Sequence, residues 1–149
     1  MSIVLSALEL DVLFRVLVAA FFGFMIGIER KGGLRGAGPR TFSLICMGSS
    51  LFAMISILGF PDSPEPERIA AQIVSGIGFI GAGVIWRQRG DMIHGITTAA
   101  AIWVSAAIGI AVALGWFFLS FCVTLVVMLI LSRGHPVREA KEHIVHGLY

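Results

Sequence analysis

Forty-one consecutive residues, 92–132, contain no Asp, Glu, Lys or Arg. One bilayer crossing takes about 20 apolar residues as a helix. The run is therefore too long for one crossing and suits two, turned tightly near Leu114-Gly115-Trp116. The same logic applies upstream. Residues 41–61 and 69–86 form further uncharged runs of 21 and 18 residues. The latter spans roughly 27 Å at a helical rise, close to one hydrocarbon thickness. Five helices are predicted: about Leu8–Ile28, Thr41–Gly59, the stretch 65–86, Thr97–Ala113 and Phe117–Ser132. Glu9, Asp11 and Arg15 mark the entry of the first, where Arg15 is expected to snorkel to the interface.

Composition agrees: 13% charged against about 25% in soluble domains, 57% hydrophobic, and a mean hydropathy of +0.93. The expected fold class is an all-α polytopic integral membrane protein. One five-helix transmembrane domain covers 1–132, and a short tail, 133–149, lies at the membrane surface as an amphipathic helix. The first residues lack a cleavable signal-peptide pattern. Cys46 and Cys122 sit in apolar runs and are expected as buried thiols.

Orientation follows from the basic residues. Nine of the eleven Lys and Arg fall in the segments 29–40, 87–96 and the tail. The other two, Arg15 and Arg68, fall on the opposite side. The positive-inside rule then puts the N-terminus outside and the tail in the cytoplasm, which five crossings satisfy.

The third helix has two sides. At 100° per residue, Ile69, Ile73, Ile77, Ile80 and Val84 share one, which suits lipid. Arg68, Gln72, Ser75, Phe79 and Ala82 share the other, flanked by Gly76, Gly78 and Gly83, and this side suits neighbouring helices. Gly76-Ile-Gly78-Phe-Ile-Gly81 matches a dinucleotide fingerprint by letter. It lacks the preceding strand that such a motif requires, so helix packing is the better reading. Packing roles are also expected for Gly23 and Gly27 in the first helix and for Ser105 and Gly109 in the fourth. In the second, Cys46, Ser49, Ser50, Ala53 and Ser56 share a face. The fifth, with no Gly or Ala, is expected at the lipid-facing periphery, outside a core of the first four.

No acid falls at mid-depth of any predicted crossing. A divalent-ion path would have to use backbone carbonyls and hydroxyls such as Ser49, Ser75, Thr97 and Thr98, where oxygen ligands normally include carboxylates. The cytoplasmic side carries more polar chemistry. Glu29, Arg30, Arg35, Arg40 and Arg87 are expected to gather there with Thr41, Thr97 and Thr98 at helix starts. Helix N-termini and arginines together suit a phosphate, an anionic head group or an acidic partner. Ordinary topological anchoring explains the same arginines, and both readings stand. Gln72, one turn from Arg68, must bond a neighbouring helix or a ligand if buried. On the outer side, Asp62, Glu65 and Glu67 form a solvated loop or a weak cation site. The four histidines fall in loops or tail. No Ser-His-Asp set, zinc site or nucleotide loop is present, so no enzyme activity is expected.

Three blocks resemble the MgtC/SapB family of bacterial inner-membrane proteins. The first is Gly27-Ile-Glu29-Arg30 with Ala37-Gly38-Pro39-Arg40-Thr41. The second runs from Arg68 through Gln72, Ser75, Gly76, Gly78, Gly81 and Gly83. The third is Gly95-Ile-Thr97-Thr98 through Trp103 and on to Gly109. Pro39 and Phe42 depart from the family's usual Leu and His, and Glu65 stands for its usual Asp. The resemblance implies a soluble C-terminal domain in the members best known from virulence; here only the short tail follows the fifth helix, so that domain's functions are not expected to carry over.

The resemblance implies magnesium homeostasis and low-magnesium adaptation, with virulence in some relatives. The leading expectation is a regulator of other membrane proteins, acting through the polar cytoplasmic-side site. The alternatives are a small transporter or channel for magnesium or another cation, and a structural scaffold. Expected partners are the lipid bilayer, a second copy in a parallel homodimer, and other membrane proteins, with no nucleic acid. No covalent cofactor is expected, and magnesium is the candidate ligand.

Overall fold

The computed structural model describes residues 2–30, 37–60, 64–65, 67–87 and 93–132. The expectations for Arg35, Asp62 and the tail lie outside the described residues. Five helices appear: α1 (Ser2–Ile28), α2 (Pro39–Leu58), α3 (Arg68–Gly83), α4 (Ile96–Ala113) and α5 (Phe117–Ser132). A two-stranded antiparallel hairpin, β1 (Trp86–Arg87) and β2 (Ile93–His94), joins α3 to α4. Among the described residues the fold is all-α apart from this hairpin, which was not expected: strands of two residues leave no periodicity to read.

Helix ends shift for local reasons. α1 begins six residues before its expected start. α2 begins two residues early because Pro39 takes the first helical position, after an extended Gly38. Proline has no N–H to lose there, and its φ already suits a helix. α3 is shorter than its apolar run and ends at Gly83. Gly95, at φ +92°, turns the hairpin into α4, and a Cβ on it would stand 2.1 Å from the Val84 carbonyl oxygen. Only glycine fits that turn.

α1, α2 and α4 pack on one another. α3 lies against α4 and α2, and α5 against α4 and α1. The centre holds Ile26, Phe42, Cys46, Ile102, Ile108 and Val112. Three expected packing glycines bring backbones together. A Cβ on Gly23 would meet the Phe42 carbonyl oxygen at 2.3 Å, one on Gly27 the Pro39 Cα at 2.3 Å, and one on Gly109 the Cys46 carbonyl oxygen at 2.4 Å. Gly81 makes ordinary contact with Ala99.

The α2 face shared by Cys46, Ser49, Ser50, Ala53 and Ser56 is the buried one. Across from it, Ser105 is buried and donates to the Ala101 carbonyl at 2.8 Å. Such bonds to the preceding turn satisfy a hydroxyl in an apolar interior. Cys46 donates its S–H to the Ser105 carbonyl at 3.1 Å, joining the two helices. Cys122 is only half-buried. α5 buries only Ser120, Thr124 and Leu131, consistent with the periphery.

α3 corrects the expectation for its faces. Most of the isoleucine side turns inward: Ile77 and Gly81 are buried, and Ile73 and Val84 pack on the core, while Ile80 stays exposed. Gln72, Ser75, Gly76, Gly78, Phe79, Ala82 and Gly83 are exposed. A Cβ on Gly76, Gly78 or Gly83 would meet nothing within 4 Å. Among the described residues, these three glycines therefore pack against no helix. The physical reason is that Ile73 and Ile77 take the space beside α2 and α4, so the glycine side of α3 points away from both.

Ser6–Ile28, Pro39–Leu58 and Ile96–Ala113 are long and apolar enough to cross a membrane, and α3 and α5 are shorter apolar helices. Large apolar side chains face outward along the bundle, including Leu17, Phe21, Phe52, Phe118 and Ile130. That surface suits a lipid surround.

Candidate functional site

The end of α1, the starts of α2 and α4, and the hairpin lie at one end of the bundle. After α1 the chain turns, with the Arg30 N–H bonded to the Gly27 carbonyl at 3.1 Å. This turn aims Arg30 across to α4, where its Nη2 donates to the Thr98 hydroxyl oxygen. Thr98 lies in the first turn of α4 and is buried. Arg30 is half-buried, and loss of water holds its guanidinium below the ordinary arginine value. An arginine remains charged nonetheless. The site thus sets a fixed cation beside the start of α4, whose free N–H groups already carry partial positive charge. Half-buried Glu29 precedes it.

The remaining candidates divide. Arg40 and Thr41 occupy the first turn of α2 and are exposed, as is Thr97 in α4. Arg87 is exposed on β1 and has a partner of its own. The structure brings Arg30 and Thr98 into contact and leaves Arg40, Thr41, Arg87 and Thr97 as an exposed surround. Arg68 lies at the opposite end of the bundle and pairs with Glu65 at 3.1 Å, both exposed. Gln72 and Ser75 are on the outward side of α3, so they are not part of this site. Gln72 is exposed, so the demand for a partner that burial would have placed on its amide does not arise within the described residues. It lines a groove of about 630 Å³ between α2 and α3, together with Thr41, Leu44, Ser49, Phe52 and Gly76.

Two polar arrangements were not anticipated. Arg15 does not reach for the interface alone. It pairs with Asp11 at 2.8 Å, donates to the Ala113 carbonyl at 2.8 Å, and lies over the Phe117 ring at 5.8 Å. The i,i+4 spacing of Asp11 and Arg15 could have signalled the pair, but nothing local signalled Ala113. His94 is a strand residue, stacked on Trp86 with ring centroids 4.7 Å apart. Among the described residues, no three His, Cys, Asp or Glu are placed to hold a metal ion.

The chain matches the MgtC family over residues 16–140. It is 45% identical over 129 residues to "Protein MgtC" of Salmonella typhimurium (strain LT2), covering 87% of this chain and 53% of that protein. It is 43% identical over 134 residues to "Putative magnesium transporter YhiD" of Escherichia coli (strain K12), covering 85% of this chain and 62% of that protein. A protein of Haemophilus influenzae is 36% identical over 154 residues, covering 95% of this chain and 64% of its own length. The chain thus spans about half to two thirds of the length of these relatives. No solved structure matches it.

Proposed function

This chain belongs to the MgtC family, and from that membership we propose that it serves magnesium homeostasis by engaging another membrane protein at its cytoplasmic end. In this reading it spans the bacterial inner membrane five times, N-terminus outside, with the Arg30 end in the cytoplasm. The observation that carries the reading is the Arg30–Thr98 contact. A half-buried guanidinium and a helix N-terminus converge there, and both attract negative charge. Arg40, Thr41 and Thr97, exposed nearby, widen the surface. An acidic segment of a partner fits such a surface better than a bare cation, which the fixed arginine would repel.

A second reading, transport, is favoured by one observation. Ser49, Ser50, Ser56 and Ser105 are buried hydroxyls on α2 and α4, and among the described residues the Ser50 hydroxyl has no hydrogen-bond partner. Hydroxyls and carbonyls are oxygen ligands of the kind that hard cations use.

Divalent-ion flux into sealed vesicles holding only the purified protein separates the two. Engagement of a partner predicts no flux above protein-free vesicles, together with a co-purifying membrane protein that Arg30→Gln releases. Magnesium flux that Thr98→Val or Ser50→Ala abolishes would replace this reading with transport.

A further inference from the structure

We propose that the groove between α2 and α3 holds one acyl chain of an anionic phospholipid, with the phosphate of its head group at Arg40. The inference rests on the membrane placement and not on the engagement of a partner at Arg30.

Two glycines make the groove. Leu44, Gly48 and Phe52 stand at four-residue intervals on α2, as do Gln72, Gly76 and Ile80 on α3, and all six line it. Residues four apart share a helix face. The middle member of each row has no side chain, and a Cβ on Gly48 or Gly76 would meet nothing within 4 Å. The larger residues before and after each glycine form the walls. Buried Ile45 and Ile77 form the floor.

Its dimensions select a hydrocarbon chain. From Thr41 to Phe52 the helix rises about 16 Å. That is close to half of a hydrocarbon core of about 30 Å, the depth of one leaflet. A partner helix about 10 Å across and equally long would fill about 1,300 Å³, about twice the groove's volume of about 630 Å³. A single acyl chain has the length without the girth.

Charge sets the direction in which the chain lies. Arg40 stands four residues before Leu44, on the same row of α2, and is exposed. Among the described residues no carboxylate pairs with it. Thr41, beside it, lines the mouth of the groove. A guanidinium offers a phosphate paired N–H donors, and basic sites between membrane helices bind anionic head groups in this way. The Ala70 N–H donates to the Ser56 hydroxyl at 3.2 Å, so the start of α3 meets the end of α2, far from Arg40. Gln72, one turn from Arg68, therefore lies at the other end of the groove, beyond the head group.

A second groove, of about 480 Å³ between α1 and α2, is also lined mostly by apolar side chains, but it carries Glu9. A carboxylate there opposes an anionic head group. Of these two grooves, only the one between α2 and α3 joins hydrocarbon walls to a cation.

The test places the full chain in nanodiscs of equal phosphatidylglycerol and phosphatidylcholine with identical acyl chains. Native mass spectrometry counts the lipids kept on release. One phosphatidylglycerol per chain is expected, retained about tenfold or more over phosphatidylcholine. Arg40→Gln should lower that preference at least about fivefold. Arg68→Gln, which removes an arginine at the opposite end of the bundle, should leave it. Gly48→Leu fills the middle of the groove and should reduce retention of both lipids at least about fivefold. Its side chain enters open space, so the fold is kept, and circular dichroism checks this. Equal retention of the two lipids would overturn the proposal. So would full preference in Arg40→Gln, unchanged retention in Gly48→Leu, or a protein segment found seated in the groove. The readout needs no partner protein, so its failure leaves the Arg30 reading standing, and the failure of that reading leaves this one.

Discussion

The Arg15 guanidinium donates to the Ala113 carbonyl at 2.8 Å, across 98 residues of chain. Ala113 is the last residue of α4, where carbonyls lack intrahelical partners and carry partial negative charge. A cation from α1 therefore closes α4 and holds it to α1 at the end opposite Arg30. Replacing it with Arg15→Gln should cost about 2 kcal/mol, as for hydrogen bonds to charged groups. Asp11→Asn should cost less, about 0–1 kcal/mol, because the pair is partly exposed. Thermal unfolding in detergent would measure both. An Arg15→Gln protein as stable as the parent would remove this tie from the account of the bundle.

Gly109 and Gly76 should respond oppositely to the same substitution. At Gly109 a new methyl meets the Cys46 carbonyl and the Ser49 side chain, so α2 and α4 must separate. Gly109→Ala is expected to destabilise by about 1–3 kcal/mol, the range for overpacking. Gly76→Ala enters open space and is expected within about 0.5 kcal/mol of the parent, or to stabilise the helix. Denaturant titrations of the two purified variants provide the comparison.

Gly95 tests the turn between hairpin and α4. Its φ of +92° and the nearness of the Val84 carbonyl both oppose a side chain. Gly95→Ala should lower stability by about 1–3 kcal/mol and weaken function. The hairpin and the first turn of α4 carry Arg87, Thr97 and Thr98, so hydrogen exchange should increase there before it increases in α5.

Arg30 and Thr98 should be energetically coupled. Burial opposes the charged form of Arg30, which depresses its proton affinity on folding. That opposition operates throughout the pH range in which the unfolded arginine is protonated, so it should not vary between pH 6 and 9. The Thr98 hydroxyl offsets part of it. Thr98→Val and Arg30→Gln should each destabilise, and the double variant should lose less than the two together, with a coupling of about 1 kcal/mol. Arg30→Lys should not restore the parent behaviour, because an ammonium lacks the planar fork that reaches Thr98. A coupling near zero would mean that the contact contributes nothing to the site.

Much was legible without neighbours. Helix positions came from the spacing of charges, because the cost of charge in hydrocarbon sets a minimum uncharged length. The buried face of α2, with Cys46, Ser49, Ser50, Ala53 and Ser56, came from the 3.6-residue period. Gly23, Gly27 and Gly109 were recognisable as close contacts because they share stripes with other small residues. The site was half legible. Arg30 and Thr98 could each be singled out, but not their contact, since a separation of 68 positions along the chain carries no record of which helices are adjacent.

The sequence by itself determined an apolar all-α bundle, the residues that share each helix face, and the segments that gather basic charge. These depend on local spacing and on the solvent, which act along any chain. Only the tertiary structure decided which face of α3 turns inward, which carbonyl Arg15 closes, and which hydroxyl Arg30 meets. Periodicity groups residues around a helix axis but does not say where the neighbouring helices stand. In this bundle Ile73 and Ile77 take the space beside α2 and α4, so the face with Gln72 and the open glycines is left on the outside.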